Sequence, residues 1–198
     1  MLRNFLNNIR HLQLIAEKKN HNIKWNQRVK DDLNLAIKFL KRVNKGVSMN
    51  TMVFRKSDTI YICDASEHGS GGYDTHGRAW HWEIPDVVKF RAHTNVLENL
   101  AQLISIWIDK EEGATNSQDC LLAMGDNTSA MGWLRRSNFL QKDEDDSSLL
   151  IKQAIGRKIA NLILESDTVL YKQWLKGAFN LVADSLSRDY YFSDYKSH

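Results

Sequence analysis

The chain has 198 residues, 42% of them hydrophobic and 26% charged, a balance that supports a folded core and excludes a disordered tract. Ten glycines and one proline, Pro85, exclude collagen-like and proline-rich architectures, and no run approaches the roughly 18 consecutive apolar residues of a membrane helix, so no membrane partner is expected. Cys63 and Cys120 stand far apart with no CxxC or Cys/His cluster, which argues against a disulfide scaffold or zinc site and for a reducing, intracellular setting.

The net charge of +3 is unevenly spread. Residues 1–56 hold 13 basic and 3 acidic residues, a net of +10, whereas residues 57–198 hold 14 basic and 21 acidic, a net of −7. A bound polyanion therefore belongs with the N-terminal part, and the acidic part needs another explanation, such as carboxylates gathered around divalent cations. We accordingly divide the chain into a basic helical extension, 1–56, and a second domain, 57–198.

In the extension, Leu2, Phe5, Ile9, Leu12 and Ile15 recur at helical spacing, as do Val29, Leu33, Ala36, Ile37, Leu40 and Val43, predicting two helices with Asn26 as a cap of the second. A helical hairpin packed on the second domain and an independent nucleic-acid arm both fit this pattern. Arg3 and Arg10 precede any acid, which also fits a mitochondrial presequence, although the stretch is poor in serine; the expected compartment is otherwise cytoplasmic or nuclear.

After Lys56 the period changes to two. Thr59–Cys63 reads as a strand ending at Asp64, followed by a glycine-rich bend at Gly69, Gly71 and Gly72 and a strand near Ala79–Ile84. Thr94–Glu112 is predicted as a helix, Cys120–Met124 as a buried strand ending at Gly125-Asp126, and Thr128–Arg136 and Ser147–Glu165 as helices. Thr168–Trp174 reads as a further strand and Leu181–Arg188 as the last helix. Trp80, Trp82 and Trp107 are expected in the core, Cys63 and Cys120 as buried thiols on neighbouring strands, and Asp109 and Glu112 at a solvated helix end.

Four carboxylates then stand where separate elements reach one end of a sheet: Asp64, Glu98, Asp126 and Asp184. Singly, each has an ordinary role as a turn, cap or helix-surface residue. Their contexts are Asp64-Ala65-Ser66, Thr94 to Ala101 around Glu98, Gly125-Asp126-Asn127-Thr128, and Gly177-Ala178-Phe179-Asn180-Leu181-Val182-Ala183-Asp184-Ser185-Leu186-Ser187-Arg188.

Together these four motifs, in this order, resemble the ribonuclease H family, and the last resembles the version found behind the reverse transcriptases of retrotransposons and pararetroviruses, including DIRS-type elements. The resemblance spans about Asp58 to Arg188, and the segment from Trp25 through Leu40 is similar to the helical connection preceding such a domain. It implies a three-layer α/β fold with a five-stranded mixed sheet, a metal-dependent endonuclease cutting the RNA strand of an RNA–DNA hybrid, and an attached reverse transcriptase polymerase as partner. It also implies two Mg²⁺ ions, with Mn²⁺ as a substitute: Asp64 bridging them, Glu98 and Asp126 on the leaving-group side, and Asp184 with the ion that activates water.

Hard cations favour carboxylate oxygens, and four clustered carboxylates should raise at least one pKa until metal binds. Reading the 2′-hydroxyl across a shallow minor groove suits short polar side chains, for which Ser66, Asn95 and Asn127 are candidates; their alternative role is helix capping. Trp133, with Arg135 and Arg136, is the candidate for the DNA strand. Where many family members carry a loop histidine, ten residues before the last Asp, this chain has Trp174, which implies slower product release. Where cellular members carry a basic protrusion, it has the acidic run Asp143–Asp146. Two other readings stay open: a catalytically silent binding or assembly module, and an integrase-like DNA nuclease of the same superfold.

Overall fold

In the computed structural model, residues 25–46, 55–89, 93–128 and 146–188 are described, together with residues 8, 9, 12, 13, 16, 17, 53 and 130. The elements are α1 (Gln27–Asn44), β1 (Thr59–Ala65), β2 (Gly69–Asp74), β3 (Ala79–Glu83), α2 (Asp86–Lys89), α3 (Thr94–Glu111), β4 (Cys120–Gly125), α4 (Asp146–Ser166), β5 (Val169–Trp174), a 3₁₀ turn (Gly177–Phe179) and α5 (Leu181–Arg188). Most of the first predicted helix and most of the one predicted over 128–136 lie outside the described residues, although residues 8, 9, 12, 13, 16 and 17 are helical; Trp133, Arg135, Arg136 and Asp143 to Asp145 also lie outside. No described helix is long and apolar enough to cross a membrane.

The strands form one mixed sheet in the order β3-β2-β1-β4-β5. β1, β2 and β3 pair antiparallel, while β1–β4 and β4–β5 pair parallel, so a helical crossover must return the chain before β4 and again before β5. On one face α3 and α4 enclose the main core, which includes Tyr61, Cys63, Val96, Leu121, Ile159 and Leu162. On the other face α5 lies across β1 and β2. The sheet is thus sandwiched between helical layers, the three-layer α/β architecture that the resemblance implies.

The glycine-rich stretch is a strand, β2, and not a bend. A methyl placed on Gly71 would meet Leu186 Cβ at 2.5 Å, and one on Gly72 would meet the Trp80 indole at 3.0 Å. The glycines therefore let α5 and Trp80 rest directly on the strand.

α1 begins at the expected cap, with the Asn26 side chain accepting from Val29 N at 3.0 Å. It packs on α4 through Leu35, Ala36 and Ala160. Buried Asp32 accepts from Asn8 N at 2.9 Å and lies 3.5 Å from Arg157 of α4, which fastens the extension by charge as well as by apolar area.

Three sequence expectations about burial change. Trp80 packs on the core, donating its indole N–H to Ser105 at 3.0 Å, but Trp107 is 46% exposed and Trp82 37%: the helix and edge strand each carry one more aromatic than their buried faces can cover. Asp109 is not solvated. It is buried, accepts from the Tyr61 hydroxyl and pairs with Arg78 at 2.6 Å. Arg78 also pairs with Asp74 and lies 3.4 Å from exposed Glu112, so this network joins the β2–β3 hairpin to the end of α3. Cys63 and Cys120 are buried on the neighbouring strands β1 and β4 as expected, and burial pushes the Cys63 thiol up to about 12.

Lys172 on β5 is half-buried, an unexpected place for an amine. Its ammonium end points among α3 and β1 side chains, donating to Gln102, and burial lowers its pKa to about 7. An amine whose folded pKa falls below its ordinary value binds fewer protons folded than unfolded, so between pH 7 and about 10 stability rises with pH. Lys172→Met should raise the melting midpoint at pH 7 by a few degrees, with the gain shrinking as pH climbs towards about 10. Parallel pH profiles for the two proteins, measured by calorimetry, would exclude this role for the amine.

Candidate active site

The parallel register of β1 and β4 brings two acids together. Thr59 lies beside Leu121 and Ile62 beside Met124; continuing that register two residues further sets Asp64 level with Asp126. Asp64 is the penultimate residue of β1, and Asp126 follows directly on β4. Glu98 comes from the first turns of α3, and Asp184 from the first turn of α5 on the opposite face. Both helical layers therefore contribute a carboxylate to the carboxyl ends of adjacent parallel strands, where α/β folds commonly place ligands.

Asp64, Glu98 and Asp126 each present an oxygen to a common point, all three within 4.8 Å of one another. Asp64 is 6% exposed, Glu98 8%, and Asp126 is half-buried. Burial raises the pKa of Asp64, and the charges of Asp126 and Asp184 raise it further, while a hydrogen bond from Ser187 opposes them. Burial likewise pushes Glu98 up to about 8, reinforced by Asp64 and Asp126 and opposed by the bond from Asn127. Such a set, hard and anionic with too few protons or cations to neutralise it, matches the ligand preference of Mg²⁺ or Mn²⁺.

Asp184 stands beside this group without joining it. Its carboxylate accepts from Arg188 Nε at 2.7 Å, one turn along α5, and the side chain is 43% exposed. The two are nevertheless coupled through Ser187, whose hydroxyl lies 2.8 Å from Asp64 Oδ2 and 2.8 Å from the Asp184 carbonyl.

The candidate substrate residues fall into different surroundings. Asn127 donates to Glu98 Oε1 at 3.0 Å and accepts from Ala130 N at 3.1 Å, so it caps the following turn while holding a carboxylate. Ser66 is buried; its hydroxyl donates to the Ser187 carbonyl at 2.8 Å and accepts from His68 N and Gly69 N at 3.1 Å. That hydroxyl ties the β1–β2 turn to α5. Asn95 is half-buried in the first turn of α3, and its buried amide oxygen has no hydrogen-bond partner among the described residues. Trp133 lies outside the described residues.

Sequence reasoning assigns no role to Ser187, Arg188 or Gly177. The i+3 and i+4 spacings from Asp184 are a signal for the first two, since residues three and four apart share a helix face. Gly177 has no such signal, because its neighbour is Asp126, from another strand.

No protein-family model matches the chain, and no curated protein matches it. Among solved structures it is similar to ribonuclease H1 from the halophilic archaeon Halobacterium salinarum NRC-1, with 18% identity over 65% of this chain and 91% of that one, TM-score 0.44. It is also similar to the N-terminal RNase H domain of rv2228c from Mycobacterium tuberculosis, with 16% identity, 65% and 88% coverage and TM-score 0.45. LC11-RNase H1, isolated from compost, shares 15% identity over 65% and 89%, TM-score 0.43.

A carboxyl group held near pKa 8 is protonated at neutral pH in the metal-free protein, and a divalent cation must displace that proton. Mn²⁺ affinity should therefore rise as pH increases towards about 8 and level off above it. At neutral pH, binding should release close to one proton, measurable by calorimetry in buffers of different ionisation enthalpy, and Glu98→Gln should abolish the release. Proton-free binding at neutral pH would contradict the shifted Glu98.

Proposed function

We propose that this chain is a metal-dependent ribonuclease H that hydrolyses the RNA strand of RNA–DNA hybrids, of the type attached to retroelement reverse transcriptases. The observation that carries the reading is the buried Asp64–Glu98–Asp126 group, in which three carboxylates converge where each alone would be costly. A structural role does not account for that convergence, because like charges brought together without a cation destabilise a fold.

In this reading Asp64, Glu98 and Asp126 hold the divalent ions, and Asp184 completes the set from α5 when its carboxylate leaves Arg188. Bound there, two ions would supply an activated water and charge neutralisation at the leaving 3′ oxygen. The chain's own contribution is orientation. Ser187 holds Asp64, Asn127 holds Glu98, and the parallel β1–β4 pairing holds Asp64 against Asp126. We assign Asn95 and Asn127 to the hybrid's minor groove, Trp133 to its DNA strand, and to Ser66 an indirect part through the α5 backbone it grips. Residues 1–56, with their net +10, serve as the connection-like extension that attracts the phosphates, and residues 57–198 as the nuclease domain.

A labelled RNA–DNA hybrid should be cut in Mg²⁺ or Mn²⁺, with RNA duplex, DNA duplex and single strands left intact, and Asp126→Asn should reduce the rate by orders of magnitude. Cleavage of DNA instead would favour the integrase-like nuclease. Failure to cut with either metal, by protein of native circular dichroism, would favour the silent binding module, for which the Asp184–Arg188 ion pair is the supporting observation.

A further inference from the structure

Asp126 is gripped by the segment that leads from β5 into α5. The Trp174 indole N–H donates to the Asp126 backbone carbonyl at 2.8 Å, and Leu175 N donates to the preceding carbonyl, Gly125 O, at 2.9 Å. Three residues beyond Trp174, Gly177 lies against the Asp126 carboxylate: a methyl built on it would stand 3.1 Å from Oδ2. Gly177 has no left-handed backbone to explain its identity, and a side chain there would press on the carboxylate, which would have to give by a few tenths of an ångström.

Trp174 is also placed against ordinary expectation for its size. It ends β5 beside Gly125 in the parallel register, and half of its surface remains in water. At that exposure the ring contributes little buried area, and the defined interaction it makes is the N–H bond to the Asp126 carbonyl. The polar edge of the ring thus has a defined task and the apolar remainder does not.

We infer that Trp174 and Gly177 are positioning residues for Asp126: the indole fixes where the backbone at the end of β4 stands, and the bare glycine fixes where the carboxylate oxygen can go. Trp174 then acts through Asp126. This inference deepens the metal-centre reading above and rests on it for its consequence, although the two can fail separately.

The test uses the full chain and three variants: Trp174→Phe, which keeps an aromatic ring but removes the donor; Gly177→Ala, which crowds the carboxylate; and Leu181→Ala, an exposed apolar residue nearby, as control. Two quantities are read, the ¹³Cγ resonance of Asp126 in metal-free protein and the Kd for Mn²⁺ by calorimetry. Positioning predicts that Trp174→Phe and Gly177→Ala shift the Asp126 resonance and weaken Mn²⁺ by about 10-fold, the scale of lost outer-shell support. The control should leave both unchanged, and the melting midpoints should differ little. An unshifted Asp126 resonance in both variants would overturn the inference, as would unchanged Mn²⁺ affinity in both. If the wild type itself binds no Mn²⁺, the metal reading fails, and the Asp126 resonance alone decides whether the clamp exists.

Discussion

The repulsion among Asp64, Glu98 and Asp126 is the constraint around which the rest of the fold is arranged. Two of the three are almost wholly buried and all three present oxygens within 4.8 Å, an arrangement that nothing local would produce. Holding it takes long-range structure: a parallel strand pair for Asp64 and Asp126, a helix crossing from β3 to β4 for Glu98, and single hydrogen bonds from Ser187 and Asn127. Each donor opposes the rise in pKa that burial imposes, but neither brings a full positive charge. Arg188, the cation close by in the described residues, is paired with Asp184 at the exposed rim. The site is thereby left with negative charge that a divalent cation is suited to neutralise.

The two helical layers have unequal parts in this. The α3–α4 layer provides the apolar core and the fixed acid, Glu98. The α5 layer reaches the sheet through close contact at Gly71, and Ser66 and Ser187 link β1 to α5 through hydroxyl-to-carbonyl and hydroxyl-to-carboxylate bonds. A short helix of eight residues would be marginal alone. The bond from buried Ser187 to β1, together with Leu186 resting on Gly71 of β2, sets where Asp184 stands.

Much of this is legible in the sequence, for identifiable reasons. Helical and strand periods, the Asn26 cap and the Gly125-Asp126 strand end are local signals, and the elements they predict within the described residues are present, with Leu181–Arg188 placed to the residue. The acids can be named because strand ends and first helical turns are themselves local features. What stays hidden depends on partners distant in sequence. Gly69–Gly72 reads as a bend until Leu186 and Trp80 are seen lying on it. Asp109 reads as solvated until Arg78 and Tyr61 meet it. Trp107 and Trp82 read as core because period alone does not say how wide the buried face is. The pairing of Asp184 with Arg188 has a signal in their i+4 spacing, but that it holds Asp184 apart from the other three acids depends on where α5 sits on the sheet.

The most direct test of the metal-centre claim is anomalous diffraction at the manganese edge from crystals of the wild-type chain equilibrated with millimolar Mn²⁺ at a pH of about 8, where Glu98 begins to give up its proton. The account predicts an anomalous peak within coordination distance of Asp64, Glu98 and Asp126, and its loss in Asp64→Asn crystals grown the same way. A map with no peak among these three carboxylates, with the side chains placed as described, would contradict it.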